Sequence, residues 1–167
     1  DRYEADDLIG SLAERYREEV GGVTIVSRDK DLAQLLAADD WFWDYAAAKR
    51  FRGRDTKLHY GVNAEQIADM LALAGDSVDN IPGVAGIGKK SAVALLQEFG
   101  SLEAVYEQLD SVAELDVRGA KRMAKLLNEQ RVEAFMCQKL TRISLDAPVG
   151  NELSKVAWAL PDQSRLV

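Results

Sequence analysis

The segment LAGDSVDNIPGVAGIGKKSA, residues 73–92, decides the fold of the second half of the chain. One helix is predicted to end near Gly75, and Pro82 stops any continuing helical register. A tight hairpin follows, and a second helix opens at Lys89. The hairpin is punctuated by Gly83, Gly86 and Gly88. The pattern predicts two helices joined by a glycine-rich hairpin, and the small Ala92 lets the second helix pack closely. Such a loop is often only a turn.

Glycines at this spacing suit a backbone that contacts an anion. They supply positive φ and leave no side chain in the way, so the N–H groups of residues 84–88 can face a phosphate. The N-terminus of the following helix adds partial positive charge at the same place. We therefore expect this segment to bind a nucleic acid backbone without reading base sequence. The predicted contact residues are Gly83, Val84, Gly86, Ile87, Gly88, Lys89 and Lys90.

Acidic residues precede the hairpin in two clusters. Helical periodicity runs from Glu4 to Val20, and the head of this helix carries Glu4, Asp6 and Asp7. A short apolar segment, 23–27, reads as a buried parallel strand that leads into Asp29 and Asp31, before a helix over 31–37. Carboxylates that follow a parallel strand lie where α/β sheets bind ligands. The two clusters should converge, although acids in a first helical turn also simply complement the helix dipole.

Convergent carboxylates repel one another unless a cation neutralises them. Oxygen ligands without cysteine favour Mg²⁺ or Mn²⁺ over Zn²⁺. His59, on an expected strand, is interpreted as a surface or packing residue. Together with Asp76 and Asp79, the predicted metal ligands are Glu4, Asp6, Asp7, Asp29, Asp31, Asp76 and Asp79.

The charge distribution agrees with a cation site. The net charge is −7, with 28 acidic residues against 21 Lys and Arg. Without the seven clustered acids the two signs would balance, so the acidity is local rather than spread over the surface. No apolar run is long enough to cross a membrane. The single Cys137 lies in an apolar helical run and is predicted to be a buried hydrophobe, which fits a reducing cytoplasm.

The remaining segments indicate an α/β part that gives way to helices near Tyr60. A strand over 41–45 is rich in aromatic residues, which pack in the sheet or stack on bases. The basic patch after it is either a solvated hairpin or a contact surface for a DNA backbone; it comprises Lys49, Arg50, Arg52, Arg54 and Lys57. Helices are predicted over 64–74 with Asn63 as N-cap, 89–99, from a Ser101 cap, 118–128 and 131–143, with a weak strand pattern over 156–160.

Three motifs in this order resemble a known family: EADD at 4–7, SRDKDL at 27–32 and GDSVDNIPGVAGIGKKSA at 75–92. Over residues 3–145 the chain is similar to the bacterial 5′-nucleases or flap endonucleases, which include the 5′-3′ exonuclease domain of DNA polymerase I and stand-alone enzymes of the exonuclease IX type. The resemblance implies the second half of a PIN-like (Rossmann-like) α/β domain over 1–60. A helix-hairpin-helix domain over 61–145 and a tail, 146–167, that packs back on the α/β part would complete it.

The same resemblance implies a function. The seven acids would hold two divalent ions that serve phosphodiester hydrolysis near 5′ ends or flaps of DNA, and the carbonyls of Val84 and Ile87 would hold K⁺ at the hairpin. A cytoplasmic, nucleoid-associated enzyme is expected. The family's first strand, with its own aspartate, and its helical arch should precede Asp1, so we expect a piece of a longer protein. The alternatives are a non-catalytic module that binds duplex DNA and a small acid-cluster phosphatase or RNase.

Overall fold

A computed structural model describes residues 2–158 of the chain. A small sheet lies near its N-terminus. The strands β1 (Thr24–Val26), β2 (Trp41–Asp44) and β3 (Lys49–Arg52) are ordered β1-β2-β3. β1 runs parallel to β2, as predicted, and β3 returns antiparallel as a hairpin. The helix α1 (Ala5–Val20) precedes the sheet, and a 3₁₀ turn at Asp31–Leu35 joins β1 to β2 and contributes Leu32 and Ala33 to the core beside Ile25 and Phe42.

The two faces of the sheet differ in chemistry. Ile25, Phe42 and Phe51 lie side by side across the three strands and are buried in the core. The opposite face carries Trp41, over which Arg50 stacks with its guanidinium carbon 3.9 Å from the ring centre. β1 is therefore buried on one face only, and the prediction of a wholly buried strand was wrong, with Val26 58% exposed.

The second part of the chain is helical, as predicted. Its helices are α2 (Thr56–Tyr60), α3 (Ile67–Ala74), α4 (Lys89–Phe99), α5 (Leu102–Glu107), α6 (Leu109–Val112), α7 (Ala120–Glu129) and α8 (Arg131–Thr141). α3 lies at the centre, where Ile67, Leu71 and Leu73 are buried against α4 and α8. Cys137 on α8 is buried, as predicted. Ser101 caps α5 through its Oγ, which accepts the Ala104 N–H at 3.1 Å.

Several sequence predictions need correction. The helix expected over 31–37 is the 3₁₀ turn, and the helix over 64–74 opens with a 3₁₀ turn at Ala64–Gln66 before α3 begins. The last two helices begin or end up to two residues away from the expected positions. His59 lies on α2 rather than on a strand, where its ring stacks on Phe51 at 4.2 Å, in agreement with a packing role. The strand expected over 156–160 is absent from its described part, since Leu153–Val156 form a 3₁₀ turn, and residues 159–160 lie outside the described residues.

The segment after α8 returns to α1. The N–H of Ser144 donates to Oδ1 of Asp7 at 2.8 Å, and the N–H of Ala147 donates to Oγ of Ser11 at 3.0 Å. Further along, the hydroxyl of Tyr16 donates to the Gly150 carbonyl at 2.5 Å. These bonds bring the end of α8 and the head of α1 together. Between residues 2 and 158, no helix has the length and apolar character needed to cross a bilayer.

Candidate functional site

An acidic cleft opens where α1, the end of β1 and the loop after α3 meet. Its volume is about 360 Å³, and residues 140–143 at the end of α8 close one side. The structure brings six of the seven predicted ligands into its wall: Glu4, Asp6, Asp7, Asp29, Asp31 and Asp79. The seventh, Asp76, lines an adjoining pocket of about 180 Å³ that it shares with Asp31. The acids therefore lie around one connected region, as the strand-end argument predicts.

Three of these acids are closest together. Carboxylate oxygens of Asp31, Asp76 and Asp79 all lie within 4.8 Å of one another. Oδ1 of Asp31 is buried and has no hydrogen-bond partner among the described residues. Burial, and then the charges of Asp29, Asp76 and Asp79, raise the pKa of Asp31 to about 6, although Lys30 opposes this. A buried carboxylate oxygen without a donor is costly. The donor set and its orphaned oxygen fit a hard divalent cation.

Lys30 takes part in this cluster, and the sequence reasoning missed it. Its ammonium donates to Oδ2 of Asp76, while Oδ1 of Asp76 accepts the Val78 N–H at 2.9 Å. Burial acts to raise the pKa of Asp76, but the hydrogen bonds from Lys30 and Val78 outweigh it and the pKa is lowered. Lys30 also lies 4.0 Å from Oδ1 of Asp31. The available signal was its position between two acids in Asp29-Lys30-Asp31.

The acids at the head of α1 have different surroundings. Burial, followed by the charges of Asp29, Glu4, Asp7 and Asp79, raises the pKa of Asp6. Both oxygens of Asp7 accept backbone N–H groups, from Glu4 at 3.0 Å and from Ser144 at 2.8 Å. Asp7 therefore caps the helix and ties the chain after α8 to it. Both of its carboxylate oxygens are therefore already used in hydrogen bonds, as those of Asp76 are.

The glycines of the hairpin have two different roles. Gly83 and Gly86 have φ of +63° and +92°, as expected, but Gly88 has φ of −96° and the prediction of positive φ there was wrong. A Cβ on Gly83 would lie 2.3 Å from the Gly75 nitrogen, so the chain passes too closely for any side chain. A Cβ on Gly88, the N-cap of α4, would meet nothing within 4 Å. Gly83 shapes the turn, whereas Gly88 leaves open space before the helix.

Three of the five hairpin N–H groups are already used inside the protein, so the expectation that all of them face an anion was wrong. The N–H of Val84 donates to the Leu73 carbonyl at 2.9 Å, and that of Ile87 to the Val84 carbonyl at 2.9 Å. The N–H of Ala85 donates to Oε1 of Gln130 at 2.7 Å. Of residues 84–88, Gly86 and Gly88 keep N–H groups for which the described residues provide no acceptor.

The pocket beside the acids leads towards the hairpin. It is lined by Asp31, Asp76 and Gly75, and by two lysines, Lys30 and Lys89. The ammonium of Lys89 lies 5.7 Å from the centre of the Tyr60 ring, which also lines the pocket. Cationic side chains therefore occupy the space between the acidic cleft and the first turn of α4. Lys90 is exposed on the same turn.

The basic patch lies on β3, the turn that follows it and the start of α2. Arg50 and Arg52 stack over Trp41, and Arg54 pairs with Asp39 at 3.3 Å. These contacts are those expected of a solvated hairpin.

Two family models cover the chain almost completely. Residues 1–63 match the 5′-3′ exonuclease, N-terminal resolvase-like domain, and residues 62–164 match the 5′-3′ exonuclease, C-terminal SAM fold. DNA polymerase I of Pseudomonas aeruginosa is 40% identical over 98% of this chain, which spans 18% of that protein. Flap endonuclease Xni of Shewanella loihica is 40% identical over 90% of this chain, which spans 56% of that protein.

A solved structure shares the fold. The bacteriophage T5 D15 flap endonuclease, in a complex with DNA and metal ions, has a TM-score of 0.71 and 26% identity over 86% of this chain and 50% of its own. The chain thus spans about half the length of its stand-alone relatives. The resemblance carried by the three motifs is confirmed: this chain belongs to the 5′-3′ exonuclease family.

Proposed function

We propose that this chain supplies the acidic cleft and the phosphate-binding hairpin of a metal-dependent 5′-3′ exonuclease or flap endonuclease that hydrolyses phosphodiester bonds near 5′ ends of DNA. One observation carries the proposal. Seven acids line two pockets that share Asp31, and Oδ1 of Asp31 is buried without a partner within the described residues. Such an arrangement is unfavourable unless cations neutralise it.

The proposed ligands of two divalent ions, Mg²⁺ or Mn²⁺, are Asp31, Asp76 and Asp79 on one side and Glu4, Asp6 and Asp29 on the other, with Asp7 at the edge of the set. When bound, such ions activate a water and stabilise the leaving oxygen of an in-line displacement. Asp29 also accepts the Asp31 N–H at 2.9 Å, which holds the two side chains of this loop in a fixed relation. Lys30 holds Asp76 ionised and limits the repulsion within the cluster.

The hairpin supplies the DNA contact. The N–H groups of Gly86 and Gly88, which find no acceptor in the described part of the chain, precede α4, a helix of 11 residues that carries Lys89 and Lys90 in its first turn. These groups favour a phosphate through the helix dipole and the ammonium charges. K⁺ at the carbonyls of Val84 and Ile87 belongs to the proposal, as does a cytoplasmic, nucleoid-associated location. Contacts of this kind fix the position of a duplex without reading its sequence.

A second function, duplex DNA binding without cleavage, is favoured by one observation. The ammonium of Lys30 already neutralises part of the acid cluster in the absence of any metal. The hairpin would then bind DNA while the acids served stability alone. An acid-cluster phosphatase or RNase would leave the hairpin without a role.

A cleavage assay separates these functions. The chain, alone and within the complete reading frame that encodes it, is incubated with a 5′-flap duplex and Mg²⁺, with Na⁺ replacing K⁺ in a parallel series. We expect cleavage that is lost in the double variant Asp29→Ala, Asp31→Ala, and DNA binding that weakens without K⁺. The matched control is Asp39→Ala, an exposed acid that pairs with Arg52 and Arg54 outside the cleft. The proposed nuclease activity would be refuted if the double variant still cleaves the duplex. It would also be refuted if the complete parent protein does not cleave it.

A further inference from the structure

We propose that α8 is a strut that sets the distance between the hairpin and the acidic cleft, and that Gln130 and Gln34 are the positioning residues that hold its two ends. The inference rests on the proposed function, because the distance matters only if both sites contact the same DNA. It predicts that these two glutamines determine where the substrate is cut.

Gln130, directly before α8, holds the hairpin. Its Oε1 accepts the Ala85 N–H at 2.7 Å, and its Nε2 donates to the Ala85 carbonyl at 3.2 Å. The side-chain amide thus pairs with both backbone groups of one residue, as a neighbouring β-strand would. Ala85 lies between the buried Val84 and Gly86, whose N–H has no acceptor among residues 2–158. This pair joins the hairpin directly to the start of α8.

Gln34 holds the C-terminal end of α8, again through both groups of its side-chain amide. Its Nε2 donates to the Thr141 carbonyl at 3.0 Å, and its Oε1 accepts the Ile143 N–H at 3.1 Å. Gln34 belongs to the 3₁₀ turn that begins at Asp31, so the end of α8 is fixed to the segment that carries the buried acid. The next backbone group along, the N–H of Ser144, is held by Asp7 of α1. Both α1 and the 3₁₀ turn at Asp31–Leu35, which carry acids of the cleft, therefore form hydrogen bonds with the end of α8.

The helix α8 packs against α3 and has a defined length. It has 11 residues, or about 16 Å at 1.5 Å per residue. This is roughly five nucleotides of B-form DNA at 3.4 Å each. Ala134, Cys137 and Thr141 are buried on the face that packs against α3, and the Thr141 hydroxyl donates to the Ala68 carbonyl at 2.9 Å. The helix cannot slide without breaking this packing.

Each glutamine is half-buried and lies outside the acidic cluster, so its removal should loosen the geometry without removing a ligand for metal or phosphate. We expect Gln130→Ala or Gln34→Ala to reduce the share of product cut at the principal position at least twofold, with neighbouring products increasing. Duplex affinity should stay within about twofold of the parent. A purely structural role would lower the amount of active protein but leave the distribution of cut positions unchanged.

The experiment uses the complete protein with a 5′-labelled flap duplex and Mg²⁺, and resolves products at single-nucleotide length. The matched control is Gln97→Ala, because Gln97 also donates from its side chain to a backbone carbonyl, that of Gly61 at 2.7 Å, but joins neither the hairpin nor the cleft. A second measurement, amide hydrogen exchange of Ala85 and Ile143 without metal or DNA, tests the hydrogen bonds themselves. Exchange should quicken at least tenfold at Ala85 in Gln130→Ala and at Ile143 in Gln34→Ala.

The two measurements separate the possible outcomes. Broadened cutting in both variants, with faster exchange and an unchanged Gln97→Ala control, supports the strut. If the Ala85 and Ile143 amides exchange faster but the cut positions are unchanged, the positioning role is overturned. It is also overturned if both amides still exchange slowly in folded variants. A parent protein that cuts no flap overturns the proposed function, and this inference with it, whatever the exchange rates are.

Discussion

Replacing Asp31 by asparagine should stabilise the metal-free chain at neutral pH, although the same change should impair cleavage. The Asp31 side chain is only 16% exposed, and its Oδ1 has no hydrogen-bond partner within the described residues. Burial is the main reason that its pKa rises from 3.8 to about 6. The folded chain therefore binds the Asp31 proton more tightly than the unfolded chain, and ionisation disfavours folding.

The magnitude follows from this difference in pKa. At about 1.36 kcal/mol per pKa unit, the ionised carboxylate costs the folded state about 3 kcal/mol near neutral pH. Asparagine removes the charge but leaves an amide to be satisfied, at a cost of about 1 kcal/mol. The expected gain is about 2 kcal/mol, or roughly 4 to 8 °C in the melting temperature of a chain of this size.

The pH dependence of this stability penalty follows from the folded and unfolded pKa values of Asp31. The penalty is complete above the folded pKa of about 6 and disappears as the pH falls below the unfolded value of 3.8. The advantage of Asp31→Asn should therefore be present near neutral pH and be lost by about pH 4. Divalent metal should reverse the order, since it binds and stabilises the folded parent but not the variant to the same extent.

Urea unfolding in EDTA, repeated with Mg²⁺ and across this pH range, measures these effects. The control is Asp39→Asn, whose carboxylate is 77% exposed and should show no comparable gain. A variant that is no more stable than the parent at neutral pH in EDTA would show that the Asp31 carboxylate does not destabilise the folded chain. So would an advantage of equal size at about pH 4.

Three further predictions concern the hairpin and the core. Gly83→Ala should destabilise the chain by about 3 kcal/mol or more in urea unfolding, because positive φ and the adjacent backbone exclude a Cβ. Gly88→Ala should change the stability by no more than about 1 kcal/mol. It should weaken DNA binding instead. Replacing both Lys89 and Lys90 by glutamine should reduce the slope of log affinity against log salt by about 0.9 for each phosphate that the variant no longer neutralises; equal slopes across a salt titration would exclude a role for these lysines in phosphate binding. Asp40→Ala should lower the free energy of unfolding by about 3 to 5 kcal/mol in urea. The reason is that this buried carboxylate accepts hydrogen bonds from the Arg17 side chain and from two backbone N–H groups, each at 2.9 Å. A smaller loss would contradict that role.

Local patterns predicted much of the fold because they report which side of each element is buried. The helical periodicity over 4–20 and the parallel strand after it were recovered nearly to the residue. The 3₁₀ turn at Asp31–Leu35 was not, since five residues give too short a window to separate it from an α-helix. His59 was misassigned for a similar reason, as a five-residue helix between the sheet and Gly61 carries almost no periodic signal.

For the candidate site too, features that depend on nearby residues in the sequence were predicted, and features that depend on distant residues were missed. The clustering of acids followed from their positions after a strand and at a helix head, which are local features. The two glutamine pairs join residues 45 and 107 positions apart, and Lys30 reaches Asp76 across 46 positions. Nothing in the sequence around the two glutamines distinguishes them from surface polar residues, and the only local signal for Lys30 is its position between two acids. Asp40 was missed too, although it lies directly before a strand, because its burial depends on the helix packed over it.

Lys30 also bears on how many cations this part of the cluster needs. Asp31, Asp76 and Asp79 contribute three carboxylates within 4.8 Å, and the Lys30 ammonium neutralises one of them. Two negative charges remain once Asp31 is ionised, which matches a single divalent ion. Because the Lys30 ammonium pairs with Asp76, the unpaired charge of these three carboxylates lies on Asp31 and Asp79. We therefore expect a cation bound at this trio to lie between Asp31 and Asp79, which come from different segments of the cleft wall.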